Sequence, residues 1–263
     1  MIRLAEPFCS ALGGTGGSPL IAAQIQAQAA SAGGGILREF WVGEDEAGVH
    51  SWLCRSGDSL WATAHPGPAA REAAAFLELL GGSLLQVDDA IIEVLGASRG
   101  VRRPVLAWHP EGAPEPGVLP GLRLQIAPPG DASLARAMMD LHADAGEVPP
   151  GDRWDNLYAE LHLRCRRGAA AGAVLWDGEK AAACAALGSM GTGDAVVSHV
   201  CTLPSYRRRG LASQAVRALC RLAEGMGRRP VLCCREELLP LYAGVGFAPT
   251  GQGHWIIRTG ETL

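Results

Sequence analysis

The sequence predicts a mixed α/β fold that is built as two similar halves. Segments with strand-like alternation of apolar and polar residues recur between segments with helical spacing, and glycine and proline clusters separate them. The same order of segments occurs twice along the chain, at an offset of about 130–140 residues, which is the size of one domain. We therefore expect one fold that is present in tandem.

The composition is that of a folded chain with a sizeable core. Of the 263 residues, 48% are hydrophobic and 19% are charged, and the formal net charge is −4. An acidic chain lacks the basic surface that a dedicated nucleic-acid binder needs. No apolar run reaches the roughly 18 residues of a membrane span, and the first residues lack the basic and apolar regions of a signal peptide. We expect a cytoplasmic protein that binds neither nucleic acid nor membrane.

The cysteines are expected to be reduced thiols in the core. The chain carries no export signal, so a disulfide framework is not expected. The sequence contains no CxxC pair and no Cys/His cluster, so no metal is expected either. The eight cysteines are Cys9, Cys54, Cys165, Cys184, Cys201, Cys220, Cys233 and Cys234.

The second half carries the clearer pattern. Alternation predicts a first strand, which Pro128-Pro129-Gly130 ends, and apolar residues at helical spacing predict the two helices that come after it. The turns at Asp177-Gly178 and 189–193 suit hairpins, so the next three strands form a meander. The predicted elements are a strand at 122–126, helices from 131 or 133 to 146 and at 152–167, strands at 171–176, 181–187 and 195–202, a helix at 208–225, a strand at 230–234, a helix at 236–245 and a strand at 254–257.

The first half resembles a weaker copy of that order. Glycine clusters after residues 32 and 80 end its two predicted helices. The predicted elements are a helix at 18–32, strands at 39–42, 49–54 and 59–64, a helix at 68–80 and a strand at 84–87. The Pro/Gly-rich stretch at 110–117 separates the halves, so we predict domains at 1–109 and 121–263 joined by a linker at 110–120.

A cluster of three arginines marks the candidate binding site. Arg207, Arg208 and Arg209 fall where the strand at 195–202 gives way to a helix. The first N–H groups of a helix already make that end positive, so this placement is favourable only when an anion binds there. Gly210 has no Cβ and lets a ligand approach these N–H groups closely. The alternative is an exposed basic helix start that binds nothing.

These residues resemble a known family. Arg207-x-x-Gly210-x-Ala212, after a strand with Val200-x-Thr202, is similar to the acetyl-CoA signature of the GNAT superfamily of N-acetyltransferases. The run Leu-Tyr-Ala-Gly-Val-Gly-Phe at 241–247 resembles the later motif of that family. The order of elements from residue 122 onward also resembles the GNAT fold. The resemblance implies a tandem GNAT-like acyl-CoA N-acyltransferase fold, whose first half is degenerate.

The resemblance also implies a reaction and its residues. Acetyl-CoA is the implied co-substrate, and the acceptor is the amine of a small molecule or a peptide. The backbone of the strand would pair with the pantetheine arm, the helix start would hold the pyrophosphate, and Tyr242 would protonate the departing CoA thiolate. The implied cofactor-binding residues are Val200, Cys201, Thr202, Arg207, Arg208, Arg209, Gly210, Leu211, Ala212 and Ser213.

Proton removal from the acceptor has no clear candidate in the sequence. Many GNAT proteins carry Glu or His on the strand before the Arg/Gly loop, where this chain has Ser198, which could at most orient a water molecule. Strand alternation predicts that His199 points to the opposite face. Glu160 and His162, on the polar side of a helix, are possible substitutes or a merely solvated surface.

Three alternatives remain open at this stage. Tyr242 lies on an apolar stripe at helical spacing, so it could be a core residue rather than a general acid. The whole chain could bind or sense acyl-CoA without catalysis, and Arg207–Arg209 could contact nucleic acid. In the first half, the corresponding segment at 61–71 lacks an Arg/Gly run, and Pro66 and Pro68 remove N–H donors, so no cofactor site is expected there.

Overall fold

The computed structural model describes residues 1–6, 17–32, 37–96, 100–110, 120–147 and 151–257. Its alternating helices and strands confirm the predicted mixed α/β fold. Internal contacts divide the chain into two compact units. The N-terminal unit comprises Met1–Leu106, Cys233–Glu236 and Pro249–Leu263, and the C-terminal unit comprises Ala107–Leu232 and Glu237–Ala248.

The N-terminal unit is a sheet covered by short helices. Its strands are β1 (Ile2–Ala5), β2 (Arg38–Asp45), β3 (Gly48–Ser56), β4 (Ser59–Ala64), β5 (Leu84–Val87) and most of β6 (Val101–Trp108), and its helices are α1 (Pro19–Ala30), α2 (Pro68–Leu80) and α3 (Asp89–Leu95). β1 to β4 pair antiparallel in sequence order, and β4 pairs parallel with β5. Helix α2 buries alanines and Leu77 against this sheet, while α1 packs in a second apolar cluster with β2 and β3.

The C-terminal unit repeats this arrangement. Its elements are strands β7 (Arg123–Ala127), β8 (Ala171–Asp177), β9 (Lys180–Met190), β10 (Asp194–Thr202) and β11 (Arg229–Cys233), and helices α4 (Ala135–Asp144), α5 (Asp152–Arg166), α6 (Leu211–Gly225) and α7 (Leu239–Ala243). β7 to β10 pair antiparallel in sequence order, and β10 pairs parallel with β11. Helices α4 and α5 bury their apolar faces in one core with β8, β9 and β10.

The last strand of the chain pairs inside the N-terminal unit. This strand, β12 (Phe247–Ile257), runs antiparallel to β5, with His254 opposite Val87 and Ile257 opposite Leu84. The order of elements cannot indicate this, because the partner of a terminal strand is chosen by tertiary packing. Residues 111–119 of the predicted linker lie outside the described residues, so the division into 1–109, 110–120 and 121–263 stays a prediction.

Most predicted elements agree with the observed ones within one to three residues, and the bounds of β4, α2 and β5 coincide. The prediction missed β1, α3 and β6, and β12 is much longer than expected. The predicted start of α6 was also wrong: the helix begins at Leu211 with Gly210 as its N-cap, so Arg208 and Arg209 lie in the preceding turn. No helix among the described residues is long and apolar enough to cross a membrane.

The cysteines lie where the sequence predicts. Seven of the eight fall within the described residues and all seven are reduced thiols, six of them buried and Cys233 half-buried. Cys9 lies outside the described residues.

Candidate active site

A break in the parallel ladder opens one side of β10. Within the described range 151–257, the ladder between β10 and β11 runs from Asp194 opposite Arg229 to Val196 opposite Val231 and ends there. The rest of β10, through Thr202, continues to pair with β9 on its other side. The strand therefore has a backbone edge beyond Val196 that an extended ligand can pair with, as an added strand would.

The opened strand leads to the start of α6. After Thr202 the chain makes a short 3-10 turn at Pro204–Tyr206 and reaches Gly210 in the left-handed conformation, with φ 78°. No side chain caps the helix and its first turn contains no acidic residue. A Cβ at Gly210 would meet no atom within 4 Å, so the helix start is open at this position. Uncapped N–H groups at an open helix start fit a phosphate.

The arginines surround this helix start. Arg207 donates from Nε to the carbonyl of Thr202 at 3.1 Å, which ties the turn back to β10. The guanidinium of Arg209 lies 5.5 Å from the centre of the Tyr206 ring, and Arg208 has a left-handed backbone with φ 62°. All three arginines are exposed. Positive charge thus lies around uncapped N–H groups, although the arginines precede the helix, and binding of an anion there stays a prediction.

A bulge in β10 corrects the prediction for His199. Between Ser198 and Cys201 the register with β9 shifts by one residue, and His199 takes φ 50°. Alternation fails at such a bulge, so His199 does not point away from Ser198. Instead, Ser198 Oγ and His199 Nδ1 lie 2.8 Å apart and form a hydrogen bond. Bulges of this kind commonly redirect side chains next to active sites.

His199 is neutral in this setting. Burial, together with the neighbouring His142 and Arg164, lowers the pKa of His199 to about 4. The ring of His142 stands nearly perpendicular to that of His199, with their centres 5.9 Å apart. A neutral imidazole can accept the hydroxyl proton of Ser198 in a hydrogen bond, which orients the serine oxygen.

A third group, which the sequence pattern did not indicate, lies beside β10. His142, in the last turn of α4, has Nδ1 2.8 Å from Oε2 of Glu147 in the following loop. Cys201 of β10 lies beside them, and the donor atoms of the three residues are within 4.8 Å of one another. Burial and the Glu147 carboxylate raise the pKa of Cys201 to about 12, so it is a neutral thiol. His, Glu and thiol are a zinc-type donor set, but hydrogen bonds to the carboxylate already account for their arrangement.

The other candidates lie on α7 and α5, and Arg235 lies in the loop after β11. Tyr242 lies on α7, its side chain is buried, and its ring meets Phe247 edge-on at 5.9 Å between centres. Glu160 forms an ion pair with Arg164, which also donates to the carbonyl of Gly188 at 2.9 Å. The second helical candidate, His162, has its ring centre 5.6 Å from that of Tyr158 on the same helix. Arg235, where many GNAT proteins have Asn, is exposed.

Comparison with known proteins identifies this unit. The sequence model of the Acetyltransferase (GNAT) family matches residues 135–247, which include β10, the arginine turn and α6. Residues 135–247 therefore form a GNAT acetyltransferase domain. No curated protein sequence matches the chain. The match supports acyl transfer as the general class of activity, with residues 200–213 and 241–247 inside the matched region.

Solved structures extend the likeness to the full chain. A tandem GNAT protein from the clavulanic acid biosynthesis pathway superposes with a TM-score of 0.59 at 12% identity, over 100% of this chain and 99% of that one. A GCN5-related N-acetyltransferase from Sphaerobacter thermophilus gives 0.56 at 18% identity, over 100% and 97%. A GCN5-related N-acetyltransferase-like protein from Streptococcus suis gives 0.55 at 13% identity, over 92% and 93%. These likenesses support the fold, and the first supports the predicted tandem arrangement.

Proposed function

We propose that the C-terminal unit transfers the acetyl group of acetyl-CoA to a primary amine of a small molecule or a peptide. The observation that carries this proposal is the continuity of the opened edge of β10 with the uncapped, arginine-flanked start of α6. An extended thiol arm and a pyrophosphate are the two parts of CoA that need such neighbouring features. The match to the GNAT family supports the same assignment.

Binding divides between backbone and side chains. Val200 and Thr202 offer backbone groups to the pantetheine amides, in the manner of a β-strand. The N–H groups of Leu211, Ala212 and Ser213 hold the pyrophosphate at the open helix start, where the helix dipole favours negative charge. The exposed arginines of the turn add charge-assisted hydrogen bonds to phosphate oxygens.

Proton transfer to the leaving thiolate is assigned to Tyr242. Its phenol O–H can act as a donor, and its buried position excludes competing water. Ser198 is held by His199, so its oxygen can orient a water molecule or the acceptor, although a hydroxyl is no strong base. The leaving group thus has a proton donor, and the acceptor side has an orienting group.

A second candidate is an acyl-CoA-binding protein without catalysis. The observation that favours it is the serine at position 198, where a catalytic carboxylate is common in the resembling family. This candidate uses the same binding residues and differs in turnover alone.

Turnover separates the two candidates. The protein is incubated with acetyl-CoA and each of four primary amines (lysine, spermidine, tyramine and glucosamine), and free CoA thiol is followed with time, while acetyl-CoA binding is measured by calorimetry. We expect binding together with amine-dependent thiol release. Tight binding without release for any amine would support the binding protein. Absence of binding would contradict both candidates.

A further inference from the structure

The contact between His142 and Glu147 fixes which ring nitrogen carries the proton. Its hydrogen bond with His142 holds the pKa of Glu147 below its usual range, so the side chain is a carboxylate at neutral pH. A carboxylate only accepts hydrogen bonds, so His142 donates from Nδ1 over the 2.8 Å contact. In the neutral ring, Nε2 then carries a free lone pair. This is the arrangement by which a carboxylate prepares an imidazole to accept a proton.

The second ring nitrogen of His142, Nε2, is buried beside the bulge in β10. The His142 side chain is 9% exposed, whereas that of Glu147 is 43% exposed. Among the described residues, Nε2 of His142 is buried and has no hydrogen-bond partner. A buried polar atom without a partner is costly, which suggests that a ligand group completes it. The His142 ring packs against that of His199, so it lies next to the stretch of β10 that begins at the bulge.

We propose that His142 is the base that takes a proton from the acceptor amine, with Glu147 as its positioning residue. This inference rests on the proposed acetyl transfer and adds the group that the sequence left unassigned. Glu147 links the buried ring to solvent, because its carboxylate is partly exposed while it holds Nδ1.

His199, on β10 itself, is the alternative base and is a poor one. With a pKa of about 4, its ring would take a proton from an alkylammonium group, of ordinary pKa about 10.4, only in a strongly uphill step. His199 also already shares a hydrogen bond with Ser198 through Nδ1. It therefore serves to orient Ser198, and proton removal falls to His142.

The reaction balances with His142 as the base that accepts a proton and Tyr242 as the acid that donates one. The acceptor enters as R–NH3⁺ and gives one proton to Nε2 of His142, and the free amine then attacks the thioester carbonyl. A C–N bond forms, the C–S bond breaks, and Tyr242 gives its proton to the sulfur. The nitrogen loses a second proton, which restores the phenol through water. His142 returns its proton to solvent, so the products are the amide, CoA thiol and one H⁺.

Several charged or titratable groups lie around His142. Glu147, from the loop after α4, is a carboxylate whose Oε2 lies 2.8 Å from Nδ1 of the ring. Cys201 of β10 is a neutral thiol, and His199 of the same strand is neutral above about pH 4. Arg164 and Glu160 of α5 act on His199, and their ion pair largely cancels their charges at longer range. Arg207 acts on Glu147 from the turn before α6. Glu147 is thus the one negative group among the described residues that directly contacts the ring.

The test compares two variants with a matched control. His142→Gln removes the base, and Glu147→Gln keeps a hydrogen-bond acceptor for Nδ1 but removes the charge. His109→Gln changes an exposed histidine of the same unit and is the control. For each protein, kcat/KM with spermidine and acetyl-CoA is measured from pH 5 to 10, with acetyl-CoA affinity and a thermal melt as checks of binding and folding.

We expect His142→Gln to lower kcat/KM by about 10²-fold near pH 7, within the range for a general base, with acetyl-CoA affinity unchanged. The rate of this variant should then rise with pH as the acceptor amine loses its own proton. Glu147→Gln should lower kcat/KM less and should change the acidic side of the pH profile, because it removes the charge that contacts the ring. His109→Gln should behave as the wild type.

The other outcomes separate the base, its positioning residue and the reaction. A His142→Gln protein with the wild-type rate and pH profile would overturn this inference and leave acetyl transfer standing. A pH profile that Glu147→Gln does not move would reject Glu147 as the positioning residue, which the inference requires. Activity that a chelator abolishes would also overturn it, since His142, Glu147 and Cys201 would then be metal ligands. A wild-type protein that transfers no acetyl group would fail the proposed function itself.

Discussion

The two halves of the chain differ at the end of their parallel strand pair. In the N-terminal unit the ladder between β4 and β5 ends at Ala62 opposite Val87, and in the C-terminal unit that between β10 and β11 ends at Val196 opposite Val231. Beyond Val196 the strand has an open edge that leads to an arginine turn. Beyond Ala62 the chain satisfies its own polar groups. One half of the duplicated fold thus has an open strand edge at this point, and in the other half the chain's own polar groups occupy it.

The carboxylate of Asp88 accepts hydrogen bonds at the end of the β4–β5 strand pair. It accepts from Thr63 Oγ1 at 2.6 Å, from the N–H of Ala64 at 3.0 Å and from the N–H of Ile91 at 3.2 Å. Thr63 Oγ1 in turn accepts from the N–H of Ser18 at 2.8 Å, which brings the segment before α1 onto the end of β4. This network uses the donors and acceptors that would otherwise be available to an extended ligand.

Packing in the same place excludes a ligand as well. A Cβ at Gly17 would lie 1.9 Å from Thr63 Oγ1 and 2.7 Å from Asp88, so the chain already fills this space. Helix α2 then starts at Pro68, which has no N–H, without an arginine turn before it. The N-terminal unit thus lacks both the open space and the arginine turn at this place.

The largest expected effect on catalysis in the C-terminal unit is that of removing the Tyr242 hydroxyl group. Tyr242→Phe should lower kcat by about 10²–10⁴-fold if the phenol is the general acid, with acetyl-CoA affinity nearly unchanged. Phe keeps the ring and its contact with Phe247. Steady-state thiol release checks this, with Tyr158→Phe on α5 as the matched control. A Tyr242→Phe enzyme with the wild-type kcat would return Tyr242 to a core-packing role.

A weaker but still clear effect should distinguish the two helix starts. Replacement of Arg208 and Arg209 together by Ala should weaken acetyl-CoA binding by about 10–100-fold, because a charge-assisted hydrogen bond contributes about 1.5–3 kcal/mol. The loss should shrink at high salt. Arg71→Ala, in the first turn of α2, should leave the affinity unchanged. Equal losses from both changes, measured by calorimetry, would mean that the arginines act by general charge alone.

The network that closes the N-terminal unit should affect stability and leave binding intact. Asp88→Ala leaves three donors without an acceptor and should lower the free energy of unfolding by about 3 kcal/mol. Acetyl-CoA affinity should not change below the melting temperature. Chemical denaturation measures the loss, with the exposed Asp58→Ala as control. An Asp88→Ala protein as stable as the wild type would show that this hydrogen-bond network does not stabilise the N-terminal unit.

Asp88 should also contribute a small pH dependence of stability. Burial raises the pKa of this carboxyl above its ordinary value of about 3.9. The native state therefore keeps the proton to higher pH than the unfolded state, so the contribution to stability falls as pH rises from about 4 through the raised pKa. The stability difference between wild type and Asp88→Asn should shrink over that window. A difference that grows with pH would contradict the sign.

Local signals predicted much of the fold. The bounds of α2 could be read because Gly67 and Pro68 start it and Gly81 ends it. The pairing of β12 with β5 could not be read, since nothing local states which strand a terminal segment joins. The sequence placed the three arginines at a helix start, but the left-handed Arg208 and Gly210 delay the helix to Leu211, so Arg208 and Arg209 precede it.

The acceptor side of the site was less predictable. His199 was assigned to the wrong face because the assumed alternation fails at a bulge, and a bulge depends on the register with β9. His142 and Glu147 were missed because a histidine near a helix end and an acidic loop residue are each common. The available signal was their separation by five residues across the end of α4, which places a carboxylate within reach of the ring.

If the C-terminal half alone binds acetyl-CoA, the stoichiometry measured by calorimetry must depend on one helix start and not on the other. Gly210 and Gly67 are both N-cap residues with positive φ, 78° and 90°, and a Cβ at either would meet no atom within 4 Å. Both Gly→Glu changes therefore impose backbone strain and one negative charge, so Gly67→Glu is the matched control. A charge at Ala70 of α2 would not be matched, because Ala70 is buried at 1% exposure. We expect one acetyl-CoA per chain for the wild type and for Gly67→Glu, and none for Gly210→Glu. Two molecules per wild-type chain, or binding that Gly210→Glu retains and Gly67→Glu loses, would contradict a single C-terminal site.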